Sequence, residues 1–271
     1  MTELLKKQNM IFFRATRYLK YILISKNRKG HGIHSPFVFD LVTRVFRNKI
    51  DPEIVSIIDD TRKQLIHDSR SVIVRDLGAG PVKHGTNLRK LSDIARNSSV
   101  TSKYGVLLSN MAAEFGKPAI VELGTSLGIS TMYMALYNPA GIVYTIEGCP
   151  AISEVAIENF NAAGIRNVEL LTGSFDEILP VITKRNIKPG LVFIDGDHRK
   201  DRVINYFSQV MKISDNKTVI IIDDIRHSSE MEEAWNEIKR FDKVSLTIDL
   251  YRMGIVFFRT GINRRDYVIR Y

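Results

Sequence analysis

From residue 118 onward the chain alternates short apolar runs with amphipathic stretches, and no other feature constrains its fold as much. Ala119–Leu123, Ile142–Ile146, Val168–Leu171, Leu191–Ile194 and Thr218–Ile222 are each four or five residues long and nearly continuous in Val, Ile and Leu. Such strands must be covered on both faces, as in a parallel sheet between two layers of helices. Helix starts stand between them: Pro150 suits a first helical position, and Ser174 with Glu177 has capping-box spacing. Val244–Leu250 and Gly254–Phe258 read as two more strands around a short turn. The pattern predicts an α/β fold: a Rossmann-like, doubly wound, seven-stranded, mostly parallel sheet with helices on both faces.

The front of the chain has a different rhythm. Met10–Ile24 reads as an amphipathic helix, followed by the basic, glycine-punctuated break Asn27–Gly32. Ser35-Pro36 and Asp51-Pro52 each pair an N-cap with a proline at the first helical position, the second helix running through Ile66. Val72–Leu77 is a short apolar run, and residues 86–97 and 101–115 read as helices. The predicted organisation is a basic, mainly helical extension or cap over residues 1–100, then a cofactor-binding domain over 101–271.

Charge follows that division. The total of +9 resolves into +7 over residues 1–30, +4 over 31–120 and −2 over 121–271. The basic character belongs to the leader, so a polyanion-binding role for the whole chain does not follow from it. The single cysteine, Cys149, excludes a disulfide framework and a cysteine-rich zinc module and fits a reducing cytosol. Arg14, Arg17 and Lys20 interrupt the leader's apolar residues, so no run approaches the ~20 needed to span a bilayer. There is no secretory signal, and the expected location is cytoplasmic.

Two segments could form a glycine loop after a first strand. Val72–Leu77 with Gly78 and Gly80 lacks a following strand ending in an acid, and Pro81 breaks the expected helix start. Ile120–Ser130 meets the requirements: Gly124 and Gly128 bracket the loop, a helix runs through Met132 and Leu136, and strand 142–146 ends in Glu147. A carboxylate there suits a ribose diol. The plain alternative is a structural turn whose glycines serve packing, with Glu122 orienting the loop.

Val121-Glu-Leu-Gly-Thr-Ser-Leu-Gly-Ile-Ser130 resembles the S-adenosylmethionine (SAM) loop of class I methyltransferases, especially the catechol and caffeoyl-coenzyme A O-methyltransferases. Thr101–Leu108 resembles the helix preceding that loop, and the likeness covers roughly residues 100–259. The resemblance implies a cofactor site of Glu122, Gly124, Thr125, Ser126, Gly128, Ser130 and Glu147. Within it, Ser130 would meet the methionine carboxylate and Glu147 the ribose. Gly173, Ser174 and Phe175 would flank the adenine, and Asp195 would belong to both the cofactor and the metal sites.

The fourth strand ends in Asp195-Gly-Asp-His198 and the fifth in Asp223-Asp224. Ligands of open α/β sheets bind at carboxyl strand ends, so these acids are expected near the glycine loop. Clustered carboxylates repel unless a cation holds them, and oxygen ligands suit Mg²⁺ or Mn²⁺. By similarity to catechol-type and macrolide-sugar O-methyltransferases, Asp195, Asp223 and Asp224 would hold the metal and His198 would be the general base. Asp224 stands where the catechol-type pattern has an amide. Lys200 is a second candidate base, ranked below His198 because its spacing from Asp195 is longer than in that pattern. On the plain reading the aspartates cap loops and His198 is solvated. Asp197 is expected only to cap the helix near Lys200, and His227 to be exposed. His31, His34 and His84 are weak metal candidates, and Phe37, Phe39 and Tyr104 are guesses for pocket lining.

The expected activity is O-methylation of a small hydroxylated acceptor. A nucleic-acid binder or methylating enzyme using the basic leader is the alternative, weakened by the lack of an RNA-binding aromatic motif and by the strand-end carboxylates. Residues 10–24 could also contact a membrane surface or a second subunit of a homodimer.

Overall fold

The structure, a computed structural model, describes residues 3–25, 30–74, 88–261 and 264–271. Val72–Leu77 is described only as far as Val74, and Gly78, Gly80, Pro81, His84 and most of the break after Ile24 lie outside the described residues. The chain divides into two compact units, residues 48–192 and residues 1–47 with 193–271.

Unit 48–192 begins with α3 (Pro52–His67), after α1 (Glu3–Ile24) and α2 (Pro36–Asp40) of the other unit. Asp51 caps α3 by accepting from the Glu53 amide at 2.9 Å, as its Asp-Pro signal requires. A small antiparallel ribbon pairs β1 (Ser71–Ile73) with β2 (Leu88–Lys90), so Leu88–Lys90 is strand where the sequence suggests helix, and α4 starts only at Leu91 (Leu91–Ser98). All three residues of β2 are exposed, and the ribbon pairing overrides their helical pattern. Next come α5 (Ser102–Phe115), β3 (Ala119–Leu123), α6 (Ile129–Tyr137), β4 (Ile142–Glu147), α7 (Pro150–Ala162), β5 (Val168–Thr172) and α8 (Phe175–Lys184). β3, β4 and β5 are parallel neighbours, with Ala119 opposite Ile142 and Val143 opposite Val168. Every residue of β3 is buried, as its apolar run demands. The start of this unit packs on its later elements: Asn110 donates to the Asn48 carbonyl at 2.9 Å, and the Asp51 amide donates to the Tyr137 hydroxyl.

β6 (Leu191–Ile194) is divided between the units. The other unit holds α9 (Lys200–Val210), β7 (Val219–Ile222), α10 (Ser229–Ile238), β8 (Leu246–Asp249), β9 (Gly254–Phe257) and β10 (Arg265–Val268). Here β9 lies antiparallel between β7 and β8, and β10 runs parallel to β8. The sheet therefore has eight strands rather than seven. The extra one, Arg-Asp-Tyr-Val, is exposed at Arg265 and Asp266 and carries almost no apolar signal. Trp235 is core, as its helix position suggests, and its ring fills the space that a side chain at Gly254 would need, 2.6 Å away.

The leader is part of this unit. The buried Tyr21 donates to the Ile269 carbonyl at 2.7 Å and accepts from the Tyr271 amide at 3.0 Å, while Tyr251 donates to the Arg14 carbonyl at 2.7 Å. Arg17 pairs with Glu232 at 2.7 Å. In the following segment Ser35 caps α2, which passes into a π-helical turn over Leu41–Val45.

Candidate functional site

In unit 48–192 the glycine loop joins β3 to α6. Gly124 (φ +106°) and Gly128 (φ +87°) take left-handed conformations that other residues resist. At Gly128 a Cβ would meet the Phe160 ring at 2.5 Å, so this glycine serves the packing of α7 against the loop as well as the turn. The amides of Gly124 and Thr125 both donate to the Ile146 carbonyl at 3.1 Å, tying the loop to β4.

Two carboxylates sit beneath this loop in contrasting settings. Glu122 is fully buried and accepts from the hydroxyls of Ser130 at 2.6 Å, Thr145 at 2.7 Å and Thr131. Burial raises its carboxyl to about 7 despite those donors. Thr125 is buried against Thr145 at 2.6 Å. Ser130 thus donates its hydroxyl hydrogen bond to Glu122. Glu147 is half-buried at the end of β4, its two oxygens accepting from the Ser126 and Cys149 amides, each at 2.9 Å. With Ser126 it lines a cavity of about 180 Å³ whose other walls are Val74, Arg89, Asp93, Ile94, Asn97, Ser98 and Ile152. A carboxylate oxygen can accept two hydrogen bonds, so amide anchoring fixes Glu147 in a pose compatible with a ribose diol. Ser174 forms the predicted capping box with Glu177 and spends its hydroxyl there. Gly173 donates its amide to the Glu147 carbonyl at 2.9 Å, and Phe175 is half-buried at the start of α8.

In the other unit, Asp223 and Asp224 follow β7. Asp223 is buried, and the Arg252 guanidinium grips it through Nε at 3.0 and 3.2 Å and Nη2 at 2.8 Å. Burial raises the Asp223 carboxyl, opposed by Arg252. Asp224 takes a left-handed φ of +53°. Its carboxylate lies 3.5 Å from Arg252 Nε, 3.4 Å from His227 Nδ1 and 4.0 Å from His198 Nε2. Burial alone would raise it, but His227, Arg252 and His198 outweigh burial and hold it below the usual carboxylate range. The His198 and His227 rings stack at 5.4 Å. Burial lowers the His198 pKa, against the pull of Asp224, so the neutral imidazole dominates at pH 7.

Asp195 sits at the end of β6, close enough to Arg252 to add to its charge stabilisation. Asp197 is committed to Arg199 at 2.7 Å and Arg202 at 3.1 Å. Lys200 pairs with Glu233 at 3.1 Å and Glu237 at 3.6 Å, so the structure gathers it to α10 and not to the aspartates. His31 and His34 are exposed. Phe37 is covered by Arg259 at 4.0 Å and packs edge-on against Phe257, and Phe39 is exposed.

A divalent-ion reading needs carboxylate oxygens turned toward a common point. Among the described residues no group of three His, Cys, Asp or Glu side chains is arranged to hold a metal, and both Asp223 oxygens face a guanidinium. As arranged, these residues do not fit the expected ion. Two contributors escaped the sequence reading. Arg252 lies in the β8–β9 turn, where it looks like an ordinary turn cation. Arg14 reaches across 213 positions to donate Nε to the His227 carbonyl at 3.1 Å and set Nη2 2.8 Å from His227 Nδ1. No local pattern announces either.

Residues 121–225 match a family model described as a methyltransferase domain. The chain is 33% identical over 130 residues to a catechol O-methyltransferase of Niastella koreensis, a match covering 47% of this chain and 58% of that protein. It is 30% identical over 129 residues to a catechol O-methyltransferase of Mycobacterium tuberculosis, covering 47% and 57%. The chain thus spans less than two thirds of the length of these relatives. In fold it resembles the O-methyltransferase of Bacillus cereus solved in complex with SAH, with a TM-score of 0.54 at 20% identity over 82% of this chain and 97% of that one.

Proposed function

We propose that this protein is a SAM-dependent O-methyltransferase acting on a small hydroxylated acceptor. The observation that carries this reading is the anchored Glu147 carboxylate, presented with Ser126 at a cavity directly after the β3 glycine loop. That donor set suits a nucleoside, and the matched methyltransferase relatives favour SAM over other nucleosides. When bound, SAM supplies a methyl group on a sulfonium, an electrophile for oxygen. Glu147 would hold the ribose hydroxyls, and Gly124 and Gly128 would shape the loop around the ligand. Phe175 would offer an aromatic face to the adenine.

His198 would act as general base. Its neutral imidazole can take the proton of an acceptor hydroxyl, and proton removal is what a weak oxygen nucleophile requires. Asp224, kept ionised beside it, stabilises the imidazolium that results. Lys200 remains a poorer candidate because its ammonium is paired on α10.

Calorimetry with S-adenosylhomocysteine (SAH) tests the reading. Micromolar binding is expected for the wild type, and its absence would sink the proposal. Nothing among the described residues favours the nucleic-acid alternative. No described helix is long and apolar enough to cross a membrane. Phe12, Leu19 and Leu23 do leave an exposed apolar stripe on α1, the segment that would meet a membrane surface or a second subunit, and liposome co-sedimentation separates the two.

A further inference from the structure

We propose that the cation of the strand-end acidic cluster is the Arg252 guanidinium, and that this chain takes its hydroxylated acceptor without a divalent metal. The inference rests on the O-methyltransferase reading and concerns the aspartates that the reading would otherwise give to an ion.

Asp223 is buried at the end of β7 and cannot move far, because its amide donates to the Ile194 carbonyl at 2.9 Å. A buried carboxylate needs a compensating charge or must neutralise. Arg252 supplies that charge with two parallel N–H groups, the fork geometry in which guanidinium pairs best with carboxylate. The arginine is itself fixed from behind. Its carbonyl accepts from the Ile225 amide at 2.9 Å, and its amide donates to the Leu250 carbonyl at 3.0 Å. The segment after β7 and the β8–β9 turn therefore hold each other in register, with the carboxylate on one and the guanidinium on the other.

The same guanidinium stands 3.5 Å from Asp224, and the charge of Asp195 adds to its stabilisation. It thus contacts two of the acids that a metal would have linked and lies in the field of the third. For Mg²⁺ or Mn²⁺ to enter, Arg252 would have to release Asp223 and leave its own charge half-buried without that partner. Mg²⁺ also demands near-octahedral oxygen ligation, whereas a guanidinium presents planar donors. The buried Asp223 has its compensating charge without an ion.

The test is Mn²⁺ titration of the metal-stripped full-length protein, followed by electron paramagnetic resonance of free Mn²⁺. It reads metal binding directly and needs no methyl transfer. The wild type is expected to show no saturable Mn²⁺ site. Arg252→Gln, which keeps bulk and removes the charge, is expected to gain one bound ion per chain, and adding Asp223→Asn to it should abolish the gain. A wild type that binds one Mn²⁺ saturably, and loses it on Asp223→Asn, overturns the proposal. So does a folded Arg252→Gln that gains none, because the carboxylates are then no cation site at all. Should Arg252→Gln not fold, the wild-type titration decides alone. SAH calorimetry on the same preparation separates failure of this proposal from failure of the methyltransferase reading.

Discussion

The two units hold the acids near their strand ends by opposite means. In unit 48–192, Glu122 and Glu147 are surrounded by neutral donors: three hydroxyls for the first and two backbone amides for the second. In the other unit, Asp223 and Asp197 are gripped by arginines. Neutral donors orient a carboxylate while leaving its charge to act on a ligand. Cationic partners cancel the charge and make the pair a structural unit. The contrast assigns ligand binding to the half-buried Glu147 and charge balance to the second group, and each assignment can be broken experimentally.

The largest effect is expected at Arg252. Arg252→Ala leaves Asp223 buried without its partner, and breaking a buried pair costs about 3–5 kcal/mol. Urea denaturation at pH 7 measures this. The loss should shrink in acid, where Asp223 can protonate, since burial already raises its carboxyl. A loss below ~1 kcal/mol would mean that the pair is solvated and that the contrast between the units fails.

Glu122 gives a pH signature of opposite kind. Its folded carboxyl lies near 7, above the ordinary 4.5. A raised folded value means that the native state holds the proton more tightly than the unfolded chain. The stability this contributes is fully present below about 4.5 and is lost as pH rises through about 7. A shift of that size is worth about 3 kcal/mol. Glu122→Gln cannot ionise, so the difference between variant and wild-type urea midpoints should grow in the variant's favour over that window. A constant difference would show that the three hydroxyls, rather than burial, set the state of Glu122.

Much of the first unit was legible from sequence because its signals are local. The caps at Asp51 and Ser174, the glycine loop and the strand ending in Glu147 all lie within a few residues of what they determine. Misreadings arose where partners are distant or chemically plain. Leu88–Lys90 follows the ribbon it pairs with, not its own helical pattern, and Arg265–Val268 becomes a strand through its parallel register with β8. The change in rhythm near residue 100 marks where the strand alternation starts, whereas the compact units follow packing: α1 is tied to Tyr251, Ile269 and Tyr271. The aspartates were found by their place at strand ends, but their partner Arg252 is 29 positions from Asp223 and nothing in the turn around it marks the pairing.

At the anchored carboxylate, Glu147→Gln should weaken SAH binding by roughly ten- to a hundredfold, the 1.5–3 kcal/mol range of a hydrogen bond to a charged group. Thermal stability should fall less, by about 1 kcal/mol, because the glutamine oxygen replaces only one of the two carboxylate oxygens that accept backbone amides. Calorimetry and a melting curve on one sample give both quantities. Equal losses of binding and stability would make Glu147 a structural cap and remove the main support for a ribose site.

The smallest effect concerns the leader, and it decides whether α1 belongs to the chemistry or only to the packing. Arg14 spans the gap between α1 and His227, whose ring stacks on His198. Arg14→Ala removes two donors at a half-buried site and should cost about 1 kcal/mol in stability. Arg17→Ala is the matched control: it breaks a half-buried pair with Glu232, which Arg226 still holds, and should cost no more than Arg14→Ala. Stability alone cannot tell the two roles apart, but the pH profile of turnover can. A cation beside the histidine pair disfavours a second positive charge there, so its removal should move the acid limb of the profile upward, toward the ordinary imidazole value. Arg17→Ala should leave that limb in place. If both variants leave it unchanged, α1 is packing, and the proposed catalytic cluster ends at His227.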